Sequence, residues 1–518
     1  MGDFSAELIL SNANVLTLNP DQPRARLVAV GRGRVLAVTD DAAMPKLRGT
    51  GTRVVDCGGR TVIPGFNDAH FHLVAYAESL LAPGLDWAAA CSIADIKDRI
   101  RRLAHGLPAG VWIRAGEYNE FNLAEKRHPN RRDLDEATAS HPVKLAHSSG
   151  HAVVLNSLAL SLAGISRKTP EPPGGMIERD LETGEPNGLL YGMGEYLAQA
   201  VPPVSDAEME RGVKLAGEKL LSLGVTSIQD ASPHNGLRHW LRFQRWKDST
   251  VLKPRVSMMW SAGAFDEYRE LGLAPKAGGE QLRPGAVKMV LDETRGWLNP
   301  PQDELNRIVF EIHRASFQVA IHAIEETTVA AACSALEYAL QRSPRRGHRH
   351  RVEHCSVCPP PLAKRLAALG VVMATQPAFV YYNGERYLKT VPPEQLGHLY
   401  PVADLINAGC TVAAGSDCPV VPPDPIKGIY AAVFRKTAAG HDLLPEQGVS
   451  PLEALWLYTG GAAYASFEED VKGSIVPGKL ADLVVLNGDP TAVPAEEMKE
   501  LSAVMTVIGG EIVWRKGI

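Results

Sequence analysis

No apolar run in the 518-residue chain approaches the roughly 20 residues needed to cross a bilayer, so no membrane partner is expected. The opening Met1-Gly2-Asp3-Phe4-Ser5-Ala6-Glu7 has no basic stretch leading into an apolar one, so no secretory leader is expected either. Ala6 also stands where a myristoylation signal needs Ser or Thr. Cysteine is sparse: seven, an odd count, spread from Cys57 to Cys418, which fits reduced thiols in a cytoplasm better than a disulfide framework. Cys355-Ser356-Val357-Cys358 has no second pair and reads as packing, with a redox or zinc role as the lesser alternative. Strong charge of one sign is missing too. The net charge of −5 is spread along the chain, and the one basic block is Arg345-Arg346-Gly347-His348-Arg349-His350-Arg351. A short basic loop between a helix and a strand is expected to be solvated, so nucleic acid is not an expected partner and a small-molecule substrate is.

What is present is ordinary for a globular enzyme: 45% apolar and 22% charged residues, enough for two or three domains or one large barrel with additions. Residues 7–56 alternate short apolar stretches such as Leu8-Ile9-Leu10 and Val35-Leu36-Ala37-Val38 with turn residues, the texture of antiparallel strands. The far end repeats it in Ala481 to Leu486 and Ala503 to Ile508, followed by Gly509-Gly510 and Glu511-Ile512-Val513-Trp514, a hairpin signal. Neither end has strands enough for a sandwich alone. The two are therefore expected to pair into one composite β domain, residues 1–60 with 468–518.

Between them lies a different pattern. Eight apolar, β-rich runs are separated by stretches of helical spacing: Val62 to His70, Gly224 to Asp230, Arg255 to Trp260, Ala286 to Asp292, Gln318 to His322, Arg351 to His354, Val371 to Gln376 and Thr411 to Asp417. Helices are predicted over Asp303 to Ser316, Glu326 to Gln341 and Pro361 to Leu369. Eight such units predict an α/β fold, a (β/α)8 barrel over residues 61–467, whose strand C-termini would build the active site. The stretch 75–220 between the first two strands is too long for one connection. With runs of its own at Gly110 to Arg114 and Val143 to His147, it predicts an inserted subdomain over the barrel mouth.

Polar residues recur where these strands end. His70 and His72, one residue apart, share a face of an extended chain and would be able to hold one ion between them. Lys288 lies in the fourth strand, and His322, His354 and Asp417 end the fifth, sixth and eighth. Singly, each has a plain explanation: a satisfied core histidine, half of a buried ion pair, a helix cap. A barrel, however, would aim all six at one cavity, where an unpaired buried charge is costly.

Val62-Ile63-Pro64-Gly65 leading to His70-Phe71-His72, Lys288 within Val287-Lys288-Met289, His322 after Val319-Ala320-Ile321, Glu353-His354-Cys355 and Gly415-Ser416-Asp417 together resemble the metal-dependent amidohydrolase superfamily. The likeness is to its amidohydrolase 3 branch, the YtcJ-like, N-substituted formamide deformylase-like group. It extends to Gly150-His151 with Val154-Leu155-Asn156-Ser157, and to the ending Gly473 to Leu483. The resemblance implies two metal ions, most simply Zn2+: His70, His72 and Asp417 on one, His322 and His354 on the other, with Lys288 carboxylated by carbon dioxide to bridge them. An ammonium cannot ligate a cation, whereas a carbamate offers two oxygens, and imidazole and carboxylate suit zinc. It implies hydrolysis of a non-peptide carbon–nitrogen bond by metal-activated hydroxide, with Asp417 moving the proton to the departing nitrogen.

Two features depart from that pattern. Relatives carry Asp-Gly soon after the strand-four lysine, where this chain has Leu291-Asp292-Glu293-Thr294-Arg295-Gly296. His322-Ala323-Ile324-Glu325 matches the H-x-x-E of mononuclear deaminases, in which the Glu shuttles protons during removal of an aromatic amine; Lys288 would then bridge nothing. A catalytically inactive scaffold is the third alternative, though none of the six positions is lost. For substrate, His151 would either point into the site or sit at a hinge, and Gln376, Trp112, Tyr191 and Tyr381 are candidate pocket walls. With no Arg or Lys to anchor a carboxylate, a neutral amide is expected: an N-substituted formamide, another N-acyl amine or a cyclic amide. A homodimer is the default expectation for oligomeric state.

Overall fold

Eight strands pair in parallel and in chain order: β1 (Phe66–Phe71), β2 (Val225–Asp230), β3 (Arg255–Ser261), β4 (Leu282–Val290), β5 (Val319–Ala323), β6 (Arg351–His354), β7 (Val372–Thr375) and β8 (Thr411–Ala414). The computed structural model describes residues 5–81, 90–148, 150, 152–172, 174–273, 278–291, 293 and 297–517, with Glu117 and Glu195 described by backbone alone. His151, and Asp292, Thr294, Arg295 and Gly296 after β4, lie outside the described residues. The sheet curls until its first and last strands meet. Phe71 bridges in parallel to Cys418, the Asp417 amide donates to the His70 carbonyl at 2.8 Å, and the His72 amide donates to the Cys418 carbonyl at 3.0 Å. Strands buried on both faces need continuous apolar or paired polar sequence, and β1, β2, β6 and β7 are buried at every position.

The predicted helices run Gln302–Arg314, Glu326–Arg342 and Pro360–Ala368. The first places Asp303 and Glu304 in its opening turn and His313 and Arg314 in its last, matching the helix dipole, and buries Leu305, Val309 and Ile312 along one stripe.

Both chain ends contribute strands to a pair of sheets. The four-stranded sheet runs in order Arg34–Thr39, Leu27–Gly31, Ala6–Ser11, Arg48–Asp56. The six-stranded one runs Glu511–Arg515, Ala503–Ile508, Leu483–Leu486, Thr61–Pro64, Asn14–Leu16, Arg24–Ala25. Leu10, Val15, Val28, Val30, Val62, Leu483, Val485 and Val507 share the core. Gly509 and Gly510 turn the final hairpin at φ 56° and 81°, the positive pair that a two-residue turn of this hand requires.

One expected strand is divided. Val62 and Ile63 belong to the terminal sheet, paired with Val485 and Val484, and only Phe66–Phe71 enters the barrel. The chain crosses at Gly65: its amide donates to Asp482 at 2.8 Å, whereas the next amide, of Phe66, donates to Gly224 at 3.1 Å. A Cβ at Gly65 would lie 2.2 Å from Thr226 Oγ1, so only glycine passes so near β2.

The basic block also departs from expectation, because it is turned inward. Arg345 donates to the carbonyls of His313 and Phe317, Arg349 pairs with Glu469 and Arg351 with Glu353, and His348 and His350 are buried. Arg345, Arg349 and Arg351 each find an acceptor that a local reading of the sequence cannot reveal, while Arg346 stays exposed.

Residues 74–216 form a second compact unit. Its five strands lie in the order Met176–Arg179, Pro186–Tyr191, Ala152–Leu155, Val143–His147, Ile113–Tyr118. The amphipathic helix Ile93–His105, capped by Ser92, buries Ile93, Ile96 and Ile100 in a core with Leu134, Val143 and Leu145. Among the described residues no helix is long and apolar enough to cross a membrane, and the cysteines are free thiols.

Candidate active site

His70 is the penultimate residue of β1 and is 1% exposed; His72 follows the strand and keeps a fifth of its side chain in contact with solvent. Asp417, three residues past β8 and at φ 57°, brings its carboxylate to both. Asp417 Oδ1 is 2.9 Å from His72 Nε2 and 3.5 Å from His70 Nε2, and its Oδ2 is 4.0 Å from His354 Nδ1. One donor atom from each of His70, His72 and Asp417 fits within 4.8 Å of the others, the spacing of side chains able to share an ion. Lys288 Nζ stands 3.5 Å from the same Nε2 of His70. His322 and His354 end the circuit from β5 and β6 with ring centroids 4.4 Å apart. The barrel thus gathers β1, β4, β5, β6 and the segment after β8 around one point.

The electrostatics favour a cation there. Burial alone would raise the Asp417 carboxyl, but the hydrogen bond from His72 and the His70, His354 and His72 rings around it outweigh burial and hold the group well below the usual carboxylate range. Burial pushes His70 well below, and His354 below, the ordinary imidazole value, which keeps both neutral as ligation requires. Burial likewise lowers Lys288 to about 8, against the opposing charges of Glu353 and Asp417. An anionic carboxylate among neutral imidazoles is a donor set that suits a divalent metal.

Further carboxylates support this cluster. Asp68, two residues before His70, accepts the His70 amide at 3.1 Å, the Ser416 amide at 2.9 Å and the Ser416 hydroxyl at 2.6 Å, stitching β1 to the segment that carries Asp417. Burial raises its carboxyl to about 7. Asp230, ending β2, accepts the Leu73 amide and the Asn235 side chain, each at 2.7 Å, so the residue after His72 is fixed.

The model of the amidohydrolase family, type 3, matches residues 53–514. The chain belongs to that family. It is 28% identical to the N-substituted formamide deformylase of Arthrobacter pascens over 98% of both chains. It is 29% identical to the putative amidohydrolase YtcJ of Bacillus subtilis over 90% of this chain and 91% of that one. Among solved structures, an uncharacterized metal-dependent hydrolase from Pyrococcus horikoshii superposes with a TM-score of 0.76 at 24% identity, covering 94% of this chain and 99% of that one, a likeness of fold.

In this amidohydrolase the other sequence-derived candidates are scattered. Gln376, expected as a substrate contact, is fully buried and turned onto His354: its Oε1 is 2.8 Å from His354 Nδ1 and its amide nitrogen 3.5 Å from the Ala374 carbonyl, so both ends are engaged by protein. His151, the other, lies outside the described residues. Glu325 is exposed at the N-terminal cap of the helix Glu326–Arg342, with the Thr328 hydroxyl 3.4 Å from its carboxylate. Trp112 packs against the core formed by Leu155, Leu160 and Leu190, the Tyr191 hydroxyl reaches His128 Nε2 at 3.4 Å, and Tyr381 packs beside Phe379 and Val421. Asp68, Asp230, Arg351 and Glu353 were given no role from sequence. The signal lay in the alternation: Arg351 and Glu353 are opposite charges two apart on one face of a four-residue buried strand.

Proposed function

We propose that this amidohydrolase is a zinc enzyme that hydrolyses the carbon–nitrogen bond of a small neutral amide, an N-substituted formamide first, with other N-acyl amines and cyclic amides as the adjoining class. The observation that carries the proposal is His70 Nε2, which stands 3.5 Å from both Lys288 Nζ and Asp417 Oδ1. A lysine placed against a metal-binding imidazole makes chemical sense once its nitrogen has added carbon dioxide, because the carbamate is an anionic oxygen ligand. His70, His72 and Asp417 would hold one ion and His322 with His354 the second, with carboxylated Lys288 between them. When bound, such a pair supplies Lewis acidity to a water and to the substrate carbonyl. Asp417 would take the proton of the attacking water at Oδ2, the oxygen not bonded to His72, and deliver it to the departing nitrogen.

The deformylase activity named for the Arthrobacter pascens relative supports the formamide assignment. The exposed position of Glu325 weighs against the deaminase alternative, which needs that carboxylate at the reacting atoms. The test is turnover of a panel of N-substituted formamides, N-acyl amines, cyclic amides and aromatic amines by protein stripped of metal and then reloaded with zinc. Zinc-dependent formate release is the expected result. Ammonia release from the aromatic amines, with every amide untouched, would overturn it.

A further inference from the structure

Arg351 and Glu353 carry opposite full charges in the middle of the barrel wall, at 1% and 0% exposure. Arg351 grips the carboxylate with two bonds, Nε to Oε1 at 2.7 Å and Nη2 to Oε2 at 3.0 Å. The same Nη2 donates to the Ala69 carbonyl at 2.8 Å, and Nη1 donates to Gln229 Oε1, so one guanidinium ties β6 to β1 and β2. Glu353 Oε2 in turn lies 2.5 Å from His70 Nδ1. Removing two charges from water is expensive, and well-packed apolar side chains fill such a space at least as stably. Stability alone therefore gives no reason for the pair.

The contact with His70 does. A neutral imidazole carries its one proton on either nitrogen, and the partner of one nitrogen decides which. We propose that Glu353, held by Arg351, is the positioning residue of the metal centre: it accepts Nδ1–H of His70 and thereby leaves Nε2 as the lone-pair donor facing Lys288 and Asp417. This rests on the metal-centre reading above and goes beyond it, because it assigns the residues that set the ligand's tautomer and angle. The main chain of His70 is anchored in the same sense, its amide on Asp68 and its carbonyl on the Asp417 amide, so ring and backbone are both fixed before any ion arrives. It also accounts for Glu353 not being a ligand itself. Arg351 Nε, Arg351 Nη2 and His70 Nδ1 already occupy its two oxygens.

The experiment is metal affinity of the full chain, by chelator competition, together with the visible absorption of the Co2+-loaded form. In Glu353→Gln the shape is kept, but the amide has one acceptor where the carboxylate had two. With the carbonyl on Arg351, its NH2 faces His70 Nδ1 and drives the ring proton to Nε2. Affinity should fall by roughly 10- to 100-fold, the usual cost of losing such a partner, and the Co2+ bands should shift. Should the unpaired guanidinium unfold that variant, Arg351→Met/Glu353→Gln removes both charges at similar volume and should show the same loss. The control is Arg255→Met/Asp482→Asn, which removes another buried two-bond pair, of 2.6 and 2.9 Å, and should leave affinity and spectrum unchanged. A folded variant with the parent's affinity and spectrum overturns the inference alone, as does an equal loss in the control. A parent that binds no divalent metal overturns the metal-centre reading and this inference with it.

Discussion

Three histidines behind β5 and β6 make a prediction about acid. His313 Nε2 lies 2.6 Å from the Ser343 carbonyl and therefore carries a proton, which leaves His313 Nδ1 to accept from His350 Nε2 at 2.8 Å. His350 Nδ1 accepts the Val319 amide at 3.0 Å, and the His350 amide donates to His348 Nδ1 at 3.0 Å. His348 Nε2 then donates to the Leu369 carbonyl at 2.8 Å. Every ring nitrogen is used, and only with all three rings neutral. The cation facing them is Arg345, whose guanidinium donates to the His313 and Phe317 carbonyls and discourages further positive charge. Burial lowers His348 to about 4 and pushes His350 well below the ordinary value and His313 below it. The folded state thus binds fewer protons than the unfolded one, whose histidines titrate near 6.5, so stability is complete above that value and declines as pH falls through it. From His348 alone, the drop between pH 7 and pH 5 is about 2 kcal/mol. In His348→Gln, the amide can keep both bonds without titrating, so the loss over that range should shrink by about the same amount. The assay is urea unfolding of parent and variant at pH 7 and pH 5, followed by intrinsic fluorescence. Equal pH dependence in the two proteins would refute the reasoning.

Asp417→Asn should retain the parent's circular dichroism while turnover of the best amide falls by at least about 100-fold, the lower end for loss of a proton-transferring group; substantial remaining activity would remove Asp417 from that role. Gly65→Ala should lower the melting temperature, with a cost on the order of 1–3 kcal/mol, because its Cβ meets Thr226 and β1 must yield; an unchanged melting temperature would mean that the crossing between the two sheets is not tight.

The barrel was legible because strands buried on both faces write themselves as uninterrupted apolar runs, and the polar residues that end them stand out against that background. His70, Lys288, His354 and Asp417 were visible for that reason, and the structure brings them together. Thr61–Pro64 was assigned to the wrong sheet because an apolar strand does not state its partners. Only the amide bonds of Gly65 and Phe66 reveal where the chain changes sheets. Arg349 and Arg351 looked like part of a solvated basic loop because Glu469 and Glu353 become their partners only in the fold; Glu353 is two residues away but on the same inward face. Gln376 read as a candidate pocket wall, and its engagement by His354 was not legible because it joins adjacent strands, β6 and β7, whose side-chain contacts are set by the curvature of the barrel.

The most direct test of the central claim is the metal content of protein purified without chelator, counted per chain by elemental mass spectrometry, for the parent and for Lys288→Ala. Close to two zinc ions are expected in the parent and a clear loss in the variant, with partial recovery of activity when a short carboxylic acid stands in for the carbamate. A parent holding a single ion, or a Lys288→Ala protein holding two at full rate, would contradict it.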